Sequence, residues 1–358
     1  ANDGVNVGAS SVNEDLDLNS RKSVIGVKGT EDLGGGLKAF YKAEWEIDPA
    51  DSEKGDPTGD TGNTPAGKNL DGRDMFVGLK GGWGKVLLGT ASSNYKQMGS
   101  KVDPFWHHAA EGRNYINTMS PYHGSKGTDR GRMTNMLQYT TPTMAGIEVV
   151  LNYTFNGASV PQGQTAPINC ASSTGEKTNP NDWATLGDVS TLECGGDETL
   201  GAGIRWSNKS FLVYFDYLDP DAYGTGAINS SDFFGTGTTV AADESIMKIG
   251  GKWSGKQFWI SAQYEMAEDQ TGGDYMFLGG NFDINKNNAI MATVGQQTDV
   301  SMGYAIGYTH SMSKQTKVYI DYSAITDELS SSTRDIISGP NAEKFDDSVI
   351  ALGFIKSF

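Results

Sequence analysis

Apolar and polar residues alternate with a period of two along most of the chain. In the segment GIEVVLNYTF at 146–155 every second residue is apolar, and the segments KQFWISAQYEM at 256–266 and VSMGYAIGYTH at 300–310 show the same spacing. Successive side chains of a β-strand point to opposite faces, so this alternation is typical of strands with one apolar and one polar face.

The alternation predicts fifteen strands, near residues 22–29, 36–47, 72–81, 84–90, 132–141, 145–155, 199–207, 210–217, 244–253, 256–267, 274–284, 288–296, 300–311, 315–324 and 346–358. The connections between them alternate in length, and the long ones cover 48–71, 91–131, 156–198 and 218–243. A β-sandwich has no reason to place all its long loops at one end. A transmembrane barrel has short turns on one side and long loops on the other.

Composition agrees with a membrane barrel and excludes other classes of protein. Every apolar run is far shorter than the ~18 residues that a membrane-spanning helix needs, whereas a barrel strand needs only about 9–11 alternating residues. The 47 glycines suit a chain with many tight turns. Lys and Arg number 28 against 44 Asp and Glu, which gives a net charge of −16 and argues against a nucleic-acid partner. We therefore predict an all-β protein, a single antiparallel transmembrane β-barrel domain over residues 1–358.

The parity of the strands predicts one more strand. The first strand ends at a short turn and needs an upward partner before it, and single-chain bacterial barrels have even strand counts. Residues 1–21 are polar and are expected to form the first external loop, which places the true first strand of a sixteen-stranded barrel upstream of Ala1. In the alternative, VNVGAS at 5–10 is itself a short strand.

The last strand runs to the final residue, Phe358, without a polar tail. Chain ends usually fray into solvent, so an apolar end needs a burial site. In a closed barrel the last strand pairs with the first, and its terminal aromatic lies at the membrane interface. We therefore expect Phe358 to be required for assembly of the barrel.

Three segments and the chain end carry a resemblance to a known family. They are SVIGVKGTEDLGGGLKAFYKAEWE at 23–46, GRDMFVGLKGGWGKVLLG at 72–89, GRMTNMLQYTTP at 131–142 and the terminal Phe358. The sequence resembles the trimeric general porins of Gram-negative bacteria, particularly the branch found in Neisseria. The resemblance implies a homotrimer among the lipids and lipopolysaccharide of the outer membrane, with the third external loop, 91–131, folded into the lumen. It also implies passive diffusion of small hydrophilic solutes and ions.

The resemblance also implies a constriction in which basic wall residues face acids of the third loop. Arg73 and Arg132 fall where the family has wall arginines, and alternation adds Lys38 and Lys42 on the lumen side, with Lys28 on the preceding strand. Two positions depart from the pattern, because Val24 and Thr90 stand where a positive charge is usual.

Asp103 and Glu111 are the third-loop acids expected to face the wall; in the alternative they are solvated loop residues. Two opposed rows of charge create a transverse field that orients polar solutes. The missing wall charges and the net charge of −16 together predict a mild preference for cations.

The two cysteines, Cys170 and Cys194, both lie in the polar stretch 156–198. Their placement predicts one disulfide within an external loop, formed in an oxidising compartment, and the alternative is two free thiols.

Other sites have weaker support in the sequence. His107 and His108 are adjacent, but nearby acids lack a convincing ligand spacing. Acids in the second long loop could bind divalent cations weakly and bridge lipopolysaccharide, although the loop lacks a calcium motif. We predict no cofactor and no enzymatic activity, since no catalytic motif appears. Three hypotheses stay open: a passive porin, a substrate-specific channel on the same barrel, and a barrel enzyme or adhesin.

Overall fold

The computed structural model describes residues 20, 22–47, 70–113, 116–124, 131–155, 199–220, 228–229, 239–240, 245–267, 273–327 and 346–357. These residues form mainly β-strands. In this part of the chain no helix is long and apolar enough to cross a membrane.

Fifteen strands form one antiparallel sheet in which neighbours along the chain are neighbours in space. Its strands are β1 (Ser23–Gly34), β2 (Leu37–Ile47), β3 (Asp71–Gly81), β4 (Gly84–Ser92), β5 (Arg132–Thr140), β6 (Ile147–Thr154), β7 (Thr199–Ser207), β8 (Phe211–Pro220), β11 (Ile246–Ser254), β12 (Phe258–Met266), β13 (Tyr275–Asn285), β14 (Asn288–Gln297), β15 (Ser301–Ser311), β16 (Thr316–Asp327) and β17 (Asp346–Lys356). Two short strands, β9 (Ile228–Asn229) and β10 (Thr239–Val240), pair only with each other. The all-β fold and the fifteen predicted strands are thus confirmed.

The first strand is longer than the alternation predicted. Residues expected to form a connection continue the ladder with β2, where Thr30 pairs with Phe40 and Asp32 pairs with Lys38. The turn is confined to the glycines at 34–36, which have φ angles of 84°, 60° and 82°. This left-handed backbone favours glycine.

The two faces of the sheet differ as the alternation requires. On β15 Met302, Tyr304 and Ile306 are exposed, whereas Gly303 and Ala305 on the other face are buried. An exposed apolar face around the whole sheet is the arrangement expected for strands that contact lipid. We call the opposite face the inner wall, the end with the short connections the short-turn end, and the other the long-loop end.

The connection from β4 to β5 folds over the inner wall, and we call residues 93–124 the inner loop. It contains α1 (Asn94–Val102) and a short 3₁₀ helix (Pro121–His123). Ser93 caps α1 by accepting a hydrogen bond from the backbone N–H of Lys96.

The hydrophobic core lies between the inner loop and the wall. One cluster joins Tyr95 and Tyr122 of the loop to wall residues such as Met136 and Leu218. Two further clusters continue it along the loop, one around Met98, Val102, Met119, Tyr214 and Phe277 and the other around Phe105, Ala110, Ile116, Met291 and Ala305. The core therefore fills part of the barrel interior.

Strands β1 and β17 are the two ends of the sheet order and do not pair with each other in the residues that the structure describes. This position is where the parity argument places a sixteenth strand. Phe358 and both cysteines lie outside the described residues.

Candidate pore constriction

Six charged side chains form one network on the inner wall of β2, β3 and β5. We call them the wall cluster: Lys42, Glu44, Glu46, Arg73, Asp74 and Arg132. Lys42 Nζ lies 2.8 Å from Glu44 Oε2 and 2.7 Å from Asp74 Oδ2. Arg73 Nε lies 2.9 Å from Glu44 Oε1, and Arg73 Nη1 lies 2.5 Å from Glu46 Oε2.

Arg132 completes the network from β5. Its Nε lies 2.9 Å from Oδ1 of Asp74, which thereby joins Lys42 to Arg132. Three carboxylates meet three basic groups, so the wall cluster is close to neutral as a whole. Side chains that share ion-pair partners restrict one another's orientation. The positions of the charges on this part of the inner wall are therefore fixed.

A β-bulge explains why two consecutive residues of β3 both join this network. Ala43 pairs with Met75 and Trp45 pairs with Gly72, so a step of two residues on β2 is matched by three residues on β3. The extra residue interrupts the strict alternation of faces. Arg73 and Asp74 can therefore both contact inner-wall residues. Strict alternation would point Asp74 outward, so the sequence pattern did not predict its place in the network.

The inner loop comes close to the wall cluster at His107 and Lys96. His107 has an exposed side chain and a left-handed φ of 78°, and it is near enough to Arg73 and Glu44 to interact electrostatically. Lys96 is buried, and its Nζ donates to the carbonyl oxygen of Gly124. Burial, Arg132 and Arg73 lower the pKa of Lys96 to about 6, so Lys96 is largely uncharged at neutral pH.

The structure places Asp103 differently from the expectation. Its Oδ1 accepts a hydrogen bond of 2.8 Å from the backbone N–H of Phe105, and its Oδ2 accepts one of 2.8 Å from that of Gly112. Burial and the neighbouring Glu111 raise the pKa of Asp103 to about 7. Asp103 therefore shapes the inner loop from within, because its carboxylate faces loop backbone.

Glu111 is also enclosed. Its Oε1 lies 2.9 Å from Arg113 Nη2, and its Oε2 lies 3.6 Å from Lys22 Nζ. The Arg113 guanidinium stacks over the Trp106 ring at 4.2 Å, and Lys22 approaches the same ring at 5.3 Å. Asp103 is thus held by the loop backbone, whereas Glu111 lies between Arg113 of the loop and Lys22, the residue before β1.

The remaining predicted lysines lie apart from the wall cluster. Lys28 pairs in register with Lys42 and is exposed. Lys38 lies at the short-turn end, where its Nζ is 3.8 Å from Asp32 Oδ2. Of the five predicted wall residues, the structure brings Arg73, Arg132 and Lys42 together.

Buried hydrogen bonds join the inner loop to β11 and β12 of the inner wall. Lys248 Nζ donates to the carbonyl oxygen of Tyr95 and lies 2.8 Å from His123 Nε2. Glu265 accepts hydrogen bonds from Tyr95 Oη at 2.9 Å and from Ser120 Oγ at 2.5 Å. These groups were not predicted, although charged residues at inward positions of β11 and β12 were a signal.

A second attachment lies at β16. His108 Nδ1 is 3.0 Å from Asp321 Oδ2, and the His108 ring stacks on Tyr319 with centroids 4.0 Å apart. His107 instead contacts Trp106. The two adjacent histidines are engaged with different partners, and in the part of the chain that the structure describes no three His, Cys, Asp or Glu side chains are grouped as a metal site would require.

A polar, charged wall facing a folded-in loop is the arrangement of a channel constriction. The model of the family described as Gram-negative porin matches residues 2–328 of the chain. The chain belongs to the Gram-negative porin family. The porin is therefore a protein of the bacterial outer membrane, and its short-turn end faces the periplasm, since barrels of this type have short periplasmic turns.

Curated relatives support the same placement. The porin is 24% identical over 328 residues to an outer membrane porin protein of Bordetella pertussis, covering 82% of this chain and 74% of the relative. It is 31% identical over 142 residues to the major outer membrane protein P.IB of Neisseria meningitidis, covering 39% of this chain and 34% of the relative. The predicted resemblance to Neisseria porins is confirmed.

The fold of the porin is similar to that of a solved channel. An anion-selective porin from Comamonas acidovorans matches with a TM-score of 0.61 at 18% identity, covering 94% of this chain and 90% of the other. At this identity the similarity concerns the fold.

Proposed function

We propose that the porin forms a water-filled channel for passive diffusion of small hydrophilic solutes and ions across the outer membrane. The observation that carries this proposal is the partial exposure of the wall cluster. The inner loop packs against wall residues from β4 to β16, among them Met136, Asn152 and Asp321. Even so, Lys42 and Asp74 on β2 and β3 keep 28% and 18% of their side chains exposed. Solutes would pass between this charged wall and the loop.

The test is single-channel recording in a planar bilayer. We expect stepwise insertion of open channels whose conductance rises in proportion to the KCl concentration. A barrel enzyme or adhesin with a filled lumen would conduct poorly, so failure of properly folded protein to form such channels would overturn the proposal. Swelling of liposomes in sugars of increasing size gives the size limit independently.

The proposed channel has a weak preference for cations. Three carboxylates of the wall cluster balance three basic groups, Lys96 is largely uncharged, and the net charge of −16 then tilts the potential of the pore toward cations. The solved Comamonas porin is anion-selective, so the sign needs its own measurement. An anion-preferring reversal potential in a KCl gradient would overturn the preference but not the channel.

We further propose that the porin assembles as a homotrimer surrounded by lipid and lipopolysaccharide. The support is membership of the family together with the exposed apolar outer face, as at Ile306 and Leu278. Electrophoresis of unheated and heated samples, combined with native mass spectrometry, tests the trimer. A monomer in every detergent tried would contradict it.

A further inference from the structure

A pocket of about 300 Å³ opens inside the barrel at the periplasmic end, beneath α1. Its walls are the end of α1, the inner faces of β6, β7, β8 and β11, and the turn at 208–210. We call it the vestibule pocket. It is separate from the wall cluster, none of whose residues lines it.

The vestibule pocket is strongly basic. Four of its lining residues are cationic, namely Lys101, Arg205, Lys209 and Lys252, and Glu148 is its one acidic residue. The chain as a whole carries a net charge of −16, so this local excess of positive charge runs against the average. Cations gathered in a concave, partly enclosed space attract anions more strongly than the same charges on an open surface.

Arg205 is incompletely paired at the back of the pocket. It is 8% exposed, its Nη1 lies 3.4 Å from Glu148 Oε1, and its Nη2 lies 3.3 Å from the carbonyl oxygen of Asn94. Both contacts are longer than usual hydrogen bonds to charged groups. Within the described residues its Nε has no hydrogen-bond partner. Asp216 is a second carboxylate close enough to act on Arg205 electrostatically. The unsatisfied Nε–H of this buried cation could still donate to an anion in the pocket.

The lysine of β11 is held in place by an aromatic ring. Lys252 Nζ lies over the Trp259 ring at 4.8 Å, and it is close enough to Lys101 for the two positive charges to repel each other. An anion between the two ammonium groups would relieve that repulsion. Met98 and Leu212 belong to one hydrophobic cluster, and both line the pocket, which gives it an apolar part.

From this geometry we propose that the vestibule pocket binds small organic anions. Their carboxylates would lie among Lys101, Lys252 and Arg205, and their carbon chain would lie against Met98 and Leu212. The volume is at the lower end of that of ligand pockets, which suits a small dicarboxylate. The inference rests on the proposed channel function and adds a substrate class, because a binding site in the lumen makes the flux of its ligand saturable.

The experiment measures how the KCl current through the full chain in planar bilayers falls, and levels off, as the succinate concentration rises. Unitary conductance in KCl is recorded first, which establishes that channels are open. Succinate is then added from the periplasmic side, and the concentration that gives half of the maximal reduction in KCl current is determined. The double variant Lys101→Gln, Lys252→Gln is compared with a matched control, Lys256→Gln, Lys314→Gln, which removes two lysines from exposed turns outside the pocket.

We expect the wild-type channel and the control to saturate at the same concentration, and the double variant to need about tenfold more succinate, which corresponds to about 1.4 kcal/mol. Open channels that show no saturation would overturn the site while leaving the channel function intact. An equal shift in the control would also overturn it. The absence of open channels would overturn the channel function itself.

Inorganic phosphate is an anion without a carbon chain, so comparing it with succinate tests whether the apolar contacts contribute to binding. If phosphate needs a higher concentration than succinate for half of the maximal reduction in KCl current, contacts of the carbon chain with Met98 and Leu212 are supported. Equal saturation overturns the preference for organic anions.

Discussion

Gly303 on β15 lies directly beneath the carbonyl oxygen of Ile116 in the inner loop. A Cβ atom added to Gly303 would lie 1.9 Å from that oxygen and 2.9 Å from Ile116 Cβ. The backbone of the loop approaches the wall this closely only because the wall residue has no side chain.

A Gly303→Val substitution should therefore lift this part of the loop from the wall. We expect a loss of stability of about 1–3 kcal/mol, as is usual when volume is added to a packed interior. Thermal unfolding in detergent measures the loss. Gly82→Ala is the control, since nothing lies within 4 Å of the added atom there. If Gly303→Val unfolds at the wild-type temperature, the loop is not seated on β15.

Two substitutions in the wall cluster should shift ion selectivity in opposite directions. Arg73→Gln removes the positive charge that Glu44 and Glu46 share, so cation preference should rise. Asp74→Asn removes the negative charge that Lys42 and Arg132 share, so cation preference should fall. A unit charge about 10 Å from an ion is worth about 0.4 kcal/mol in water, or about a twofold change in local ion concentration.

Reversal potentials in a KCl gradient measure both shifts, and low salt makes them largest. Lys256→Gln removes a charge from an exposed turn at 255–257 and serves as the control. Shifts of the same sign for both cluster variants would show that the cluster does not line the ion path.

The inner loop should lose stability as the pH rises through the range in which Asp103 releases its proton. The pKa of this carboxyl is 3.8 in a model compound and is raised to about 7 in the structure. Between these values the folded state keeps a proton that the unfolded chain has released, so stability falls as the pH rises from about 4 to about 7.

Hydrogen exchange of peptides from 93–113 at pH 5 and pH 8, corrected for the intrinsic rate, measures this change. Protection should be lower at pH 8 in the wild type. In Asp103→Asn, which cannot ionise, the two values should agree. Equal protection of the wild type at both pH values would show that Asp103 does not change its protonation state between pH 5 and pH 8.

Cys170 and Cys194 are predicted to form a disulfide in the external loop at 156–198, a region outside the described residues. Closing a loop of this size typically contributes about 2–4 kcal/mol, here to local order. Intact mass after alkylation, with and without prior reduction, decides the state of the cysteines. Two alkylated thiols in the unreduced protein would contradict the prediction.

The wall of the barrel could be predicted from the sequence more fully than the loop within it. Period-two alternation is a local property, so it located the fifteen strands and the inward direction of Lys42. It failed where the backbone departs from regular pairing, as at the bulge that turns Asp74 inward. One extra residue reverses the faces, and no residue type in the sequence marks it uniquely.

The contacts of Asp103 and Glu111 depend on the packing of the inner loop, which the alternation of apolar and polar residues along the strands does not predict. The resemblance placed both acids opposite the basic wall, but loop N–H groups hold Asp103, and Arg113 and Lys22 pair with Glu111. The small residues Gly303, Ala305 and Gly307 on the inner face of β15 were a visible signal for close packing. Only the structure shows that the loop is what they contact.

The attachment of His108 to Asp321 joins positions 213 residues apart in sequence. Such contacts form late, because chain-closure entropy opposes pairing of distant segments. The inner loop thus cannot complete its docking until β16 is in place. A nascent barrel must then pass through a stage with an undocked plug, in which apolar groups such as Phe105 and Ile116 face the water of the lumen.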